Sequence, residues 1–214
     1  MFFLTSCIYY AKVPRIKNVF VSKQISSYKI ESIAVLPIIP DDSSKIGAYF
    51  STNYLYNIIY DDYPAIDIAN LDWIREFDNS IVDEEIQNLK TIKRFDLNAF
   101  ENSNLGRNII SEKYDAILIG NIDSVKFSEG MVFGTDGILR AWITSCSFRY
   151  FLISITDGKV LWAASCQSES YNYISNYFLK EYPSVEQAIS IGIDEMVKIF
   201  PKEIFFEVEE KGDE

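Results

Sequence analysis

Residues 138–171 read ILRAWITSCSFRYFLISITDGKVLWAASCQSESY, and this stretch decides the class of fold. Along it, Leu139, Ala141 and Ile143 alternate with polar and aromatic side chains on a second face. Such alternation predicts two antiparallel, partly exposed strands, at residues 138–155 and 159–171. The dipeptide Asp157-Gly158 between them is typical of a two-residue type I′ hairpin turn. The second half of the chain is therefore predicted to be a long β-hairpin.

The first half contains apolar runs typical of strands that are buried on both faces. Residues 32–39 read SIAVLPII, and residues 116–120 read AILIG, a strand that we expect to continue to about Phe127. Residues 65–69 are predicted as a further strand, parallel to the first through a right-handed crossover. The segment 129–137 contains three glycines and is predicted to be a loop.

Helical signals separate and follow these strands. Asp and Ser residues at 41–44 precede apolar side chains at helical spacing, so a helix is expected that ends before Tyr63-Pro64. Further helices are predicted at 83–93 and 105–113. Near the end of the chain, Ser184 and Gln187 form a capping box, followed by a packing stripe that continues to Val197.

Together these elements predict one α/β domain at residues 31–206. Its mixed sheet of about five strands is parallel in the first half, has the antiparallel hairpin in the second half, and is flanked by helices. Residues 8–30 are expected to be a tether followed by an extended segment, and residues 207–214 an acidic tail.

Composition excludes several classes of function. The chain has 214 residues, 48% of them hydrophobic, which is enough for a core without disulfides or metal. Its net charge of −11 disfavours nucleic acid as a partner, and on average an anionic lipid surface as well. It contains no histidine, which excludes Ser-His-Asp triads and His-ligated zinc sites.

Neighbouring acidic residues such as Asp41-Asp42 and Asp61-Asp62 are interpreted as helix caps and solvated groups. No catalytic residue, metal or cofactor is therefore predicted.

The N-terminus contains a pattern that indicates lipidation. Leu4-Thr5-Ser6-Cys7 resembles a bacterial lipobox, with small residues before a cysteine that accepts the lipid. We therefore expect residues 1–7 to be a truncated signal peptide and Cys7 to be the lipidation site. Ile8, rather than aspartate, follows the cysteine, which favours the outer membrane over the inner membrane. An apolar first strand that contains a cysteine by chance is the alternative.

The order of three motifs resembles a group of bacterial envelope lipoproteins. The motifs are the opening strand IAVLP at 33–37, the segment YDAILIG at 114–120 and the hairpin TDGKVLW at 156–162. They resemble the fold shared by the TolB N-terminal domain, the penicillin-binding-protein activator LpoB and the curli-secretion lipoprotein CsgG. The resemblance implies a sandwich-like α/β domain that has no catalytic site and acts through protein contacts.

Two further groups of side chains, one aromatic and one of cysteines, are candidate sites. An aromatic segment between the hairpin and the last helix is either a protein interface or a cover for the end of the sheet. If Thr156 faces Lys159, then Cys146 and Cys166 lie on opposite faces, and a disulfide is excluded unless a bulge shifts the register by one. The aromatic candidates are Tyr171, Tyr173, Tyr177, Phe178 and Tyr182.

These observations predict a lipid-anchored, non-catalytic lipoprotein on the periplasmic face of the outer membrane. Its body would bind another envelope protein or further copies of itself. Two alternatives remain open. One is a soluble hydrolase that uses carboxylates from separate elements, and the other is a cytosolic regulatory domain that binds a small ligand at the carboxyl ends of its strands.

Overall fold

A computed structural model describes residues 14–36, 45–64, 66–68, 102, 107, 114–134, 137–174 and 181–201. Helix α1 is Lys45–Asp62, helix α2 is Val185–Lys198, and a short 3-10 turn covers Ile25–Ser27. The predicted helix at 83–93 lies outside the described residues, as does that at 105–113 apart from Arg107, which is helical. The strands are β1 (Arg15–Val21), β2 (Ser32–Val35), β3 (Asp67–Ile68), β4 (Ala116–Gly134), β5 (Gly137–Ser154) and β6 (Val160–Tyr173).

These six strands form one mixed sheet in the order β1-β6-β5-β4-β2-β3. Strand β2 is parallel to both β3 and β4, whereas β4, β5, β6 and β1 pair antiparallel. The prediction of an α/β fold with a parallel first half and an antiparallel second half is therefore confirmed. The sheet has six described strands rather than about five, because β1, from the N-terminal 8–30 segment, adds an edge strand beside β6.

A single carboxylate aligns the parallel part of the sheet. Asp115, just before β4, accepts hydrogen bonds from the backbone N–H groups of Glu31 and Ser32, each at 3.0 Å. It also accepts one from the Ser32 hydroxyl at 2.8 Å. These bonds satisfy donors at the start of β2 and set its register with β4.

The main core lies between one face of the sheet and helices α1 and α2. The stripe predicted on α2 is buried from Ala188 to Val197, Val185 at its start is partly buried, and the capping box at Ser184 is present. Gly192 allows α2 to approach β5 closely, since a Cβ there would lie 2.6 Å from Cζ of Phe148. The Tyr54 hydroxyl of α1 donates to Asp194 of α2 at 2.8 Å. Partial burial, together with this bond, raises the pKa of Tyr54 to about 12.

The turn between β5 and β6 differs from the predicted type I′ turn. A type I′ turn needs a left-handed backbone at both central residues, but here only Gly158 has a positive φ, of 67°. The Ser154 N–H donates to the Lys159 carbonyl, so residues 155–158 form a four-residue loop. Asp157 stabilises this loop because its carboxylate accepts a hydrogen bond from the Tyr28 hydroxyl and pairs with the Lys159 ammonium.

The changed turn also corrects the placement of the two cysteines. A further register shift follows Leu152, so Cys166 lies opposite Phe148 rather than Arg149. Cys146 lies opposite Ser168, which places both thiols on the helix-covered face, contrary to the prediction of opposite faces. Neither thiol forms a disulfide, and both are buried. Burial raises the pKa of the Cys166 thiol to about 12, so this thiol is unreactive at neutral pH.

The segment predicted as a glycine-rich loop is mostly strand. Strand β4 continues through Gly130 to Gly134, and Gly134 pairs with Gly137 at the tip of the hairpin. Gly130 serves close packing rather than a turn, because a Cβ there would lie 2.6 Å from Cδ1 of Ile143. Strand β4 therefore extends to Gly134 rather than to about Phe127, and it forms a second hairpin with β5.

Candidate functional site

The distal part of the β4–β5 hairpin extends beyond its neighbouring strands. Strand β2 pairs with β4 only from Ala116 to Leu118. Strand β6 accompanies β5 as far as the pair Ala141–Tyr173. Within the described ranges, the outer edge of β4 therefore has no strand partner beyond its first three residues. Such an edge is available for contact with another polypeptide.

An aromatic and apolar surface lies on one face of this extension. The Tyr182 ring packs against Trp142 at a centroid distance of 5.2 Å and against the edge of Phe127 at 5.4 Å. Phe127 is 51% exposed and Met131 is 67% exposed. Between them, Glu129 forms an ion pair with Arg140 of the facing strand. We call this surface the hairpin patch; it consists of Phe127, Glu129, Met131, Arg140, Trp142 and Tyr182.

Two backbone contacts hold Tyr182 on the sheet. The Thr144 hydroxyl donates to the carbonyl of Pro183 at 2.6 Å. The side-chain amide of Asn172 donates to the carbonyl of Glu181 at 3.0 Å. Because the residues on both sides of Tyr182 are hydrogen-bonded to β5 and β6, its ring is preorganised beside Trp142 and Phe127.

The five aromatic residues proposed from the sequence do not form one surface. Tyr182 belongs to the hairpin patch and is half-buried. Tyr171 is buried, its hydroxyl donates to Glu169, and burial raises its pKa; Tyr173 is half-buried. In the register of β6, Tyr171 and Tyr173 lie on the opposite face from the patch. Tyr177 and Phe178 lie outside the described residues, as does Cys7.

Sequence reasoning missed Phe127 and Met131 because the glycines around them were taken to end the strand. A usable signal was present in the sequence. Val125, Phe127, Met131 and Phe133 follow a period of two across Gly130, as in a continuous strand. Exposure of this apolar row depends on where the covering helices end, which no local pattern indicates.

The opposite face of the sheet carries an open polar groove of about 360 Å³. Its central contact is an ion pair, in which Nη2 of Arg149 donates to Oδ1 of Asp123 at 2.6 Å. The Asn121 amide donates to the same Asp123 oxygen, also at 2.6 Å. The described lining of the groove thus contains one carboxylate, already engaged by an arginine. Further lining residues include Lys17, Ser147, Ser165 and Gln167.

Features that would indicate chemistry are sparse in the described part of the chain. There, no three potential metal-ligating side chains come together. Asp61 and Asp62 are exposed at the end of α1, while Asp41, Asp42 and the acidic run at 83–85 lie outside the described residues. The cavity between the sheet, α1 and α2 has a volume of about 10 Å³, which suffices for a single water molecule. No described helix is long and apolar enough to cross a bilayer.

Comparison with known proteins finds similarity only among solved structures. No family model matches the chain, and no curated protein matches it. The PelC dodecamer from Paraburkholderia phytofirmans is 10% identical, with a TM-score of 0.49 over 91% of this chain and 99% of that chain. Lipoprotein GNA1162 from Neisseria meningitidis is 16% identical, with a TM-score of 0.37 over 78% and 98% of the two chains. The hypothetical protein CT253 from Chlamydia trachomatis is 10% identical, with a TM-score of 0.46 over 79% and 94%. The resemblance to the TolB, LpoB and CsgG group stays a prediction.

Proposed function

We propose that this protein is a lipid-anchored, non-catalytic component of the bacterial envelope, held at the periplasmic face of the outer membrane. Its body binds another envelope protein, or a second copy of itself, through the hairpin patch. The observation that carries this proposal is the exposed aromatic and apolar surface on a sheet extension that the described helices leave uncovered.

The composition of the patch is that of a protein-binding surface. Exposed apolar side chains that occur singly are normal, but here Phe127 packs against Tyr182, Tyr182 packs against Trp142, and Met131 lies on the same face of the hairpin. Large aromatic side chains dominate binding energy at protein interfaces because they bury much area at low entropic cost. Since both strands and Tyr182 are held by hydrogen bonds, little further ordering is needed on binding.

The anchor is supported by the sequence around Cys7. Small residues at positions 5 and 6 and the aliphatic Leu4 fit a lipobox, and the thiol supplies the acceptor atom for the lipid. Two acyl chains, at about 0.8 kcal/mol per buried CH₂, hold a protein of this size stably on a bilayer.

The absence of catalysis is likewise a proposal, and one contact favours it over the carboxylate hydrolase. Such a hydrolase needs two carboxylates from separate elements facing one cleft. Among the described residues that line the polar groove, Asp123 is the one carboxylate, and Arg149 occupies it with two N–H donors, at 2.6 and 3.0 Å. A carboxylate tied in this way is a structural ion pair rather than a free acid or base.

Photocrosslinking from the patch tests the binding function. We would replace Phe127 with benzoylphenylalanine in cells and irradiate intact envelopes. The matched control carries the same group at Tyr60, which is 58% exposed on α1 and far from the patch in sequence. We expect one discrete adduct from position 127 and none from position 60. An adduct of twice the chain's mass identifies self-assembly, and a larger or smaller adduct identifies another protein. Equal or diffuse labelling from both positions would contradict the proposal.

A further inference from the structure

A second exposed apolar surface lies at the opposite edge of the sheet, on β1. Val19, Phe20 and Val21 are 51%, 49% and 44% exposed. Three consecutive side chains are exposed because β1 is the outermost strand and its pairing with β6 is interrupted between Lys17 and Phe20. Asn18, inside this interruption, has a left-handed backbone with φ of 51°. We call this surface the N-terminal edge; it comprises Arg15, Lys17, Val19, Phe20 and Val21.

The register of β1 gathers basic and aromatic side chains on the open face of the sheet. Arg15 lies opposite Gln167, Lys17 opposite Ser165, and Phe20 opposite Ala163. Directly paired residues share a face, and these three partners line the polar groove. Arg15, Lys17 and Phe20 therefore project on the same side as the groove, away from α1 and α2.

The charge of this region is opposite to that of the rest of the chain. Five of the 20 basic residues lie within the first 30 positions, and none of the 31 acidic residues does. The remainder is therefore more negative than the net −11 of the whole chain. Within the described residues, neither the Lys17 nor the Lys23 ammonium has an ion-pair partner. The average charge conceals a basic edge on an acidic body.

We infer that the N-terminal edge is a second membrane contact, which lies on an anionic lipid surface. Phe20 enters the headgroup region from the open face together with Arg15 and Lys17, which meet lipid phosphates, whereas Val21 pairs with Trp162 and projects from the other face of the strand. This arrangement turns the acidic body, with its hairpin patch, away from the bilayer. Exposed apolar side chains flanked by cations are the composition that binds such interfaces.

The tether favours a bilayer over a second copy as the occupant of this edge. This inference rests on the proposed lipid anchor, because a lipid on Cys7 is what places the N-terminal edge near a bilayer. Arg15 lies eight positions after Cys7, a span of at most about 28 Å when fully extended. A lipid on Cys7 would keep the edge within that reach of the bilayer at all times. Because the edge would then be at a high effective concentration beside the lipid surface, even weak contacts with lipids would form most of the time. A second copy of the chain would instead have to diffuse to the same edge.

Vesicle binding by the chain without its lipid tests this surface separately from the anchor. The full chain with Cys7→Ala would be sedimented with vesicles of phosphatidylglycerol and phosphatidylethanolamine, and with vesicles of phosphatidylcholine alone. We expect binding to the anionic vesicles only, and weaker binding at high salt because the exposed charges are screened. Lys17→Gln should lower the partition coefficient about five-fold, and Phe20→Ser should lower it as well.

Two matched variants control for general effects. Lys126→Gln removes an equal charge from an exposed lysine on the distal hairpin, and Tyr60→Ser removes an exposed aromatic ring from α1. Both should leave vesicle binding unchanged. Equal binding to both kinds of vesicle, an equal loss from Lys126→Gln, or self-association through β1 without vesicle binding would each overturn the inference. Because the tested chain carries no lipid, these outcomes do not depend on whether Cys7 is acylated in the cell.

Discussion

Phe148 and Phe127 lie on the same face of the β4–β5 hairpin, yet Phe148 is fully buried and Phe127 is 51% exposed. The difference comes from the helices. Gly192 brings α2 against the Phe148 ring, whereas among the described rings it is that of Tyr182 that packs against Phe127. The described helical layer therefore stabilises the proximal part of the hairpin and leaves the distal part available for binding. Residues of one chemical type serve stability in one region, and we propose that they serve recognition in the other.

The largest expected effect is a difference in the free energy of unfolding between alanine variants of these two phenylalanines. Phe148→Ala should lower the free energy of unfolding by about 3–5 kcal/mol, because it leaves a cavity in a closed core. Phe127→Ala should lower it by less than about 1 kcal/mol, since solvent already reaches that ring. Urea denaturation followed by circular dichroism measures both. Similar losses for the two variants would show that the distal hairpin is part of the core.

A second variant sharpens the account of the helix-covered half. In Gly192→Ala the new Cβ would lie 2.6 Å and 2.9 Å from two atoms of the Phe148 ring. Overpacking should cost about 1–3 kcal/mol of unfolding free energy, offset in part by better helix propensity. Adding Phe148→Leu should relieve the clash, so the double variant should lose less than the sum of the single losses. Strict additivity would contradict the close approach of α2 to β5.

The success of sequence reasoning divides between features set by local patterns and features set by distant contacts. The β2 and β4 strands, the hairpin and the α2 capping box follow from local patterns, and the structure contains them. The errors concern features that distant contacts decide. Gly130 looks like a loop residue until Ile143 is seen packed over it, and the turn at Asp157 depends on Tyr28, which lies far away in the sequence. The hairpin patch was found only through Tyr182, because exposure depends on where the helices end.

A smaller effect is expected at the start of α2, which sets the position of the covering layer. The Ser184 hydroxyl accepts from the Gln187 N–H at 3.2 Å, so Ser184→Ala should cost about 1 kcal/mol of unfolding free energy. Ser190→Ala, in the same helix, removes a hydroxyl that only donates to the Gln187 carbonyl, and serves as the control. An equal loss from both variants would argue against the cap.

The smallest effect concerns acid stability at the β5–β6 turn. Partial burial by itself raises the pKa of Asp157, but hydrogen bonds from Lys159 and Tyr28 outweigh it and hold the pKa below its usual value. The resulting stabilisation is fully present above about pH 4 and is lost as the pH falls through the lowered pKa.

Asp157→Asn should therefore lower the free energy of unfolding by less than about 1 kcal/mol at neutral pH. Its free energy of unfolding should also lack the part of the decrease at low pH that comes from protonation of Asp157. Tyr28→Phe should remove part of the same pH dependence, because it removes one of the hydrogen bonds to Asp157. Urea titrations at several pH values below 5 compare these variants with the parent chain. An unchanged acid dependence in Asp157→Asn would contradict the assignment.

Mass spectrometry of the N-terminal peptide from fractionated cells tests the central claim most directly. The account predicts a mature chain that begins at Cys7, carries a diacylglyceryl group on its sulfur and sediments with the outer membrane. A peptide that runs through an unmodified Cys7, recovered with the soluble proteins, would contradict the claim.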